Sequence, residues 1–157
     1  MSNDRDVPER EDFTKTRRET MPIASVKKMV EAAKAEIDNI SPQEAARRAA
    51  EDGALIVDIR DVREMQREGA IPGAMHAPRG MLEFWVSPDS PYTKEIFGED
   101  REFVLCCAGG MRSALSAKTL KDMGMEKISH IETGFGGWQA DDMPIESYEE
   151  WKANRVK

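Results

Sequence analysis

The stretch Phe103-Val104-Leu105-Cys106-Cys107-Ala108-Gly109-Gly110-Met111-Arg112-Ser113 carries an apolar run through a glycine-rich turn into a helical pattern. Phe103 to Leu105 has the apolar density of a short buried strand, and Ser113 to Met123 places Ala114, Leu115, Ala117 and Leu120 on one helical face, with Gly124 as the stop. A loop in this position turns successive backbone N–H groups toward one point, and the helix start adds its unpaired N–H groups and positive dipole end. Such a point holds an anion. A thiol at its edge, with Arg112 nearby, is favoured as thiolate, the nucleophilic form. Gly109 and Gly110 allow the tight, left-handed backbone that curls the N–H groups inward. The segment therefore reads as a cysteine nucleophile, Cys106 or Cys107, beside an anion-binding loop of Ala108, Gly109, Gly110, Met111, Arg112 and Ser113.

At these residues the chain resembles the rhodanese family of sulfurtransferases, whose active loop has the form C-x-x-G-x-R-[ST]; Cys107, Gly110, Arg112 and Ser113 fill it. Leu55-Ile56-Val57-Asp58-Ile59-Arg60 is similar to the family's strand ending in D-x-R. Gly69-Ala70-Ile71-Pro72-Gly73-Ala74 is similar to its G-H-I-P-G-A segment, with Ala70 where a histidine is common. Gly134-Phe135-Gly136-Gly137-Trp138 resembles its closing G-G-x-x-x-W. The resemblance implies an α/β fold with an open parallel sheet flanked by helices on both faces. It also implies that Asp58 and Arg60 brace the loop rather than touch substrate; an ordinary surface salt bridge is the alternative.

Read from Cys106, the same letters spell the C-x5-R loop of cysteine phosphatases, some of which share the rhodanese fold. That register makes a wider cradle, suited to a tetrahedral phosphate or arsenate. Leu105 stands where phosphatases of this pattern usually have histidine, and the flanking motifs are better rhodanese than phosphatase. Strand alternation turns Cys106 to the face opposite its neighbour. Cys107 is therefore taken as the nucleophile and Cys106 as a small buried hydrophobe. A redox partnership between the two would need a strained disulfide between neighbours.

The chain has 157 residues, 39% of them hydrophobic, enough for one core with extensions. A net charge of −7 argues against general binding to nucleic acid or an anionic membrane surface. Two adjacent cysteines make no disulfide framework, and neither His76 nor His130 stands at zinc-ligand spacing from them. No apolar run approaches membrane-spanning length and the N-terminus is charged, so a reducing cytoplasm is the expected compartment.

Along the chain, residues 1–22 read as a charged, disordered tail. Residues 23–35 hold an amphipathic helix, Ala24 to Ala35, with Val26, Met29, Val30 and Ala33 as its stripe; it packs on its own domain or pairs two copies into a homodimer. The domain proper spans 36–150, with 151–157 as a C-terminal tail. It opens with a strand at Ile37 to Ile40 and a capping box, Ser41-Pro42-Gln43-Glu44, starting a helix through Glu51. A strand at 54–58, a helix at 61–67, the 103 strand, the 113 helix, a strand at 127–131 and a helix after Gly134 complete an alternation that implies a parallel sheet covered on both faces.

Between Pro78 and Phe97 lies an insertion turning at Pro88 to Pro91, with Phe84 and Trp85 as aromatic weight. Arg79 and Trp85 either frame a substrate pocket beside the loop, or the aromatics pack a surface helix. His76 and His130 carry no motif and receive no catalytic role. The activity implied by the resemblance is transfer of sulfane sulfur from a small anionic donor, thiosulfate or a persulfide (a protein persulfide included), to a thiol or cyanide through a Cys107 persulfide. No metal or organic cofactor is expected. A binding or regulatory module without turnover is the remaining alternative.

Overall fold

A computed structural model describes residues 22–155. The charged tail assigned to residues 1–22 falls, but for its last residue, outside them. Five strands, β1 (Asp38–Ile40), β2 (Leu55–Asp58), β3 (Met75–His76), β4 (Phe103–Cys106) and β5 (Ile128–Ile131), form one parallel sheet in the order β1-β5-β4-β2-β3. Among the described residues seven α-helices surround it: α1 (Val26–Lys34), α2 (Pro42–Glu51), α3 (Val62–Glu68), α4 (Leu82–Val86), α5 (Met111–Asp122), α6 (Gly134–Ala140) and α7 (Tyr148–Asn154). From β2 the chain moves outward to β3, then returns to place β4 on the other side of β2. The carboxyl ends of β2 and β4 therefore flank the switch point where open α/β sheets hold their ligands.

Alternation along the strands divides the core in two. Leu55, Val57, Phe103, Leu105 and Ile128 pack on one face with Leu82, Phe97, Ala117 and Leu120. Ile56, Val104, Cys106 and Ile131 pack on the other with Ala45, Phe135 and Trp138. Strands buried on both faces read as continuous apolar runs, which is why β2 and β4 are evident in the sequence; β5 has apolar residues only at its ends, and the two-residue edge strand β3 leaves no run.

Helix starts follow local chemistry. The Ser41 hydroxyl accepts from the Glu44 N–H, but the expected reciprocal half of that capping box is missing. The Glu44 carboxylate is taken by Arg47 and Arg48 instead, which hold its carboxyl down at about 2, Arg47 foremost. A complete box forms at α3: Asp61 Oδ1 accepts from the Arg63 N–H at 2.9 Å and Glu64 Oε2 accepts from the Asp61 N–H at 2.8 Å. Helix α1 lies on α5, with Val30 and Ala33 against Ala114, while Val26 and Met29 stay exposed.

The C-terminal tail expected from residue 151 is corrected by α7. Ser147 caps this helix and Trp151 is buried against Met65 and Ala70, its Nε1–H donating to the Ala74 carbonyl at 2.8 Å. Ala70 and Glu146 form an antiparallel bridge that seats the segment. Trp151 finds its partners about eighty residues earlier in the chain, so the helix is stabilised mainly by packing and not by local propensity.

Candidate active site

Cys107 follows β4 at the switch point and is buried. Its Sγ accepts from the Gly110 N–H at 3.1 Å and from the Ser113 N–H at 3.3 Å, and lies 3.4 Å from Ser113 Oγ. Helix α5 begins at Met111, two residues before the sequence-based start, because Gly110 caps it in the left-handed region at φ +94°. A Cβ on Gly110 would stand 1.9 Å from the Glu132 carbonyl oxygen, so only glycine closes this turn. Gly109, the other glycine expected to need such freedom, has ordinary backbone and open space around it.

The loop is also held from below. The Phe135 and Gly136 N–H groups at the start of α6 donate to the Cys107 and Ala108 carbonyls at 2.7 and 3.0 Å. Gly134, at φ +66°, permits this approach; a Cβ there would lie 2.5 Å from the Ala108 oxygen. Cys106 points the opposite way, into the core with Ile56, Val104, Phe135 and Trp138. Burial, then the neighbouring Asp58 carboxylate and Cys107, push its thiol well above the usual range.

Asp58 and Arg60 are both fully buried, which sets aside the surface salt bridge. Arg60 Nε and Nη2 meet Asp58 Oδ1 and Oδ2 at 3.0 and 2.8 Å, and Nη2 also donates to the Gly69 carbonyl at 2.9 Å. The guanidinium lies 3.9 Å from the centroid of Phe135, the residue whose N–H holds the Cys107 carbonyl. Desolvation would lower the Arg60 pKa, but the Asp58 contact outweighs it and the guanidinium stays firmly charged. Removing either partner would leave a buried charge uncompensated, at about 3–5 kcal/mol.

Arg112 turns from the loop to Glu64 of α3, making a two-pronged ion pair at 2.8 and 2.9 Å. That bond raises the Arg112 pKa and lowers that of Glu64, each chiefly through the other. The pair borders an open recess of about 530 Å³ with Asp61, Arg63 and Arg67. Glu64 is a site-bordering residue that the sequence analysis missed, although Asp61-Val62-Arg63-Glu64 spells a capping box. Trp85 carries Lys94 Nζ over its ring at 4.0 Å and lines a cavity of about 460 Å³ with His76, Tyr148 and Trp151. None of residues 107–113 lines that cavity, and Arg79 is exposed on the turn before α4.

His130 is likewise absent from the sequence-based site. It lies fully buried on β5, with Nδ1 2.7 Å from Ser113 Oγ and Nε2 2.6 Å from Asn39 Oδ1. Burial, aided by the Lys34 charge, lowers its pKa to about 4, so the imidazole is neutral at ordinary pH. His76 Nε2 sits 2.7 Å from the Arg60 carbonyl and serves the β2–β3 end of the sheet.

A buried thiol accepting from two backbone N–H groups at the switch point of a parallel sheet defines an α/β protein with a site suited to an anion on sulfur. The model of the Rhodanese-like domain family matches residues 41–141, well over half of the chain, and the protein belongs to that family. It is 31% identical over 95 residues to "Putative sulfurtransferase YtwF" of Bacillus subtilis, covering 60% of this chain and 82% of the relative. A solved structure from Rhodopseudomonas palustris, described as a protein of unknown function and possible tyrosine phosphatase, is 48% identical, with a TM-score of 0.75, over 78% of this chain and 95% of that one. The polysulfide-sulfur transferase homodimer of Wolinella succinogenes is 27% identical, with a TM-score of 0.62, over 87% of this chain and 93% of that one. No helix among the described residues is long and apolar enough to cross a membrane.

Proposed function

We propose that this rhodanese-family protein is a sulfurtransferase that carries sulfane sulfur on Cys107. The observation that carries this reading is the placement of Cys107 Sγ at hydrogen-bond distance from the Gly110 and Ser113 N–H groups, at the N-terminus of a twelve-residue helix. The Cys107 thiolate attacks the outer sulfur of thiosulfate or a persulfide. A new S–S bond forms, the donor's S–S bond breaks, and sulfite or a thiolate leaves with the electron pair. A thiol or cyanide then takes the outer sulfur and returns the thiolate, which gives ping-pong kinetics. The preorganised N–H groups supply electrostatic stabilisation throughout, and both steps balance without a metal or organic cofactor. Asp58 and Arg60 brace the loop.

The phosphatase reading draws on the C-x5-R spelling from Cys106 and on the description of the Rhodopseudomonas relative. It requires Cys106 as nucleophile, and that thiol faces the opposite core and is held protonated by burial. Intact-protein mass spectrometry after brief thiosulfate treatment separates the two. A gain of one sulfur, about 32 Da, retained in Cys106→Ser and lost in Cys107→Ser, supports the persulfide carrier. Phosphate-ester turnover lost in Cys106→Ser and kept in Cys107→Ser would replace it. We further propose that two copies pair through α1, supported by the exposed Val26 and Met29 and by the homodimeric Wolinella relative; light scattering that finds only monomer would reject the pairing.

A further inference from the structure

We infer that Asn39 and His130 are positioning residues that fix the Ser113 hydroxyl as a hydrogen-bond acceptor toward Cys107, leaving the sulfur anion to the Gly110 and Ser113 backbone N–H groups alone. The direction of every proton in the chain follows from its far end. Asn39 Nδ2 donates to the Lys34 and Ile37 carbonyls at 2.8 and 3.2 Å. Carbonyls accept only, so the amide cannot turn over without setting its oxygen against two others. Asn39 Oδ1 therefore faces His130 Nε2, its direct partner in the β1–β5 register, and that nitrogen must carry the proton. The imidazole is neutral, so Nδ1 is bare and takes the Ser113 hydroxyl proton. Ser113 has one proton to give and has given it. Toward Cys107 Sγ, 3.4 Å away, its oxygen offers only lone pairs.

A thiol can donate to that oxygen, whereas a thiolate meets it as a repulsive neighbour. A persulfide carries its charge on the outer sulfur and leaves Sγ uncharged, so the lock does not disfavour it. Resting on the sulfurtransferase reading, this chain of residues favours retention of bound sulfur until an acceptor arrives. The titratable and charged groups facing these atoms are Lys34 of α1 and Asp38 of β1 near His130, and near Cys107 the Arg112 guanidinium and the neutral Cys106 thiol.

The test uses the thiol alone, so its outcome is independent of what Cys107 carries. Alkylation of Cys107 by iodoacetamide is followed by mass spectrometry from pH 5 to 10 in the Cys106→Ala background, with and without Ser113→Ala and His130→Leu. Ser113→Ala removes one oxygen and is expected to leave the profile midpoint in place or move it down. His130→Leu frees the hydroxyl to donate to the sulfur anion and is expected to lower the midpoint by about one pH unit, roughly the worth of one hydrogen bond to a charged group. In the double variant that gain disappears. A rise of the midpoint by about a unit in Ser113→Ala overturns the inference, because it would mean the hydroxyl already donates to the anion. That variant decides the question even where His130→Leu fails to fold.

Discussion

Substituting alanine for Gly110 tests the loop geometry at its tightest point. The residue sits at φ +94°, and an L side chain in the left-handed region costs about 1–2 kcal/mol. The added Cβ would lie 1.9 Å from the Glu132 carbonyl oxygen, backbone that cannot swing aside, and overpacking of this kind adds about 1–3 kcal/mol. The sum, about 2–5 kcal/mol, corresponds to a fall in Tm of roughly 5–15 °C for a domain of this size. Relief requires Gly110 to retreat from β5, which carries its N–H away from Cys107 Sγ; a misplacement of about 1 Å in a reacting constellation costs on the order of 100-fold. The assay pairs thermal denaturation with the rate of Cys107 alkylation. Gly109→Ala is the control: its Cβ meets nothing within 4 Å, so stability should stay within about 0.5 kcal/mol. If Gly110→Ala melts and alkylates like the wild type, the close approach of the loop to β5 is wrong.

Trp151→Ala removes a buried ring and the hydrogen bond to Ala74, and urea denaturation should show a loss of about 3–5 kcal/mol; a change below about 0.5 kcal/mol would restore the view of this segment as a tail. Glu64→Gln takes the counter-charge from Arg112, so alkylation of Cys107 by anionic iodoacetate should rise about three- to tenfold relative to neutral iodoacetamide, with the gain shrinking in high salt. An unchanged ratio would remove Arg112 from anion attraction. His130 resists protonation in the folded state to about pH 4, whereas the unfolded chain takes up that proton near 6.5. Stability from this residue is therefore intact above pH 6.5 and declines as pH falls toward 4, by about 2 kcal/mol between pH 7.5 and 5. Denaturation curves at the two pH values should show this decline, and His130→Leu should flatten it.

Much of the fold was legible because its signals are local. The apolar runs of β2 and β4 declare strands buried on both faces, and Ser41-Pro42 and Gly124 mark helix ends by chemistry contained within a turn. The cysteine loop was equally readable, since strand, glycines and helix are contiguous, and alternation along β4 alone put the two cysteines on opposite faces. Helix α5 was set two residues late because its start depends on Gly110 being driven left-handed against Glu132, a contact across the sheet.

What lay beyond the sequence are the relationships closed by tertiary packing. Glu64 and Arg112 stand 48 residues apart, and His130 and Asn39 stand 91 apart. Neither pair leaves a periodic trace, since a single polar contact between distant elements needs only one residue at each end. Sequence by itself determined four of the five strands and the loop that holds the cysteine, because backbone preference and burial pattern act over a few neighbouring residues. Tertiary structure alone decided that Arg112 is neutralised by Glu64, that Trp151 belongs to the core, and that Ser113 faces Cys107 with its proton already committed to His130. Those outcomes depend on which groups the folded sheet brings within hydrogen-bond reach, a distance that no local pattern encodes.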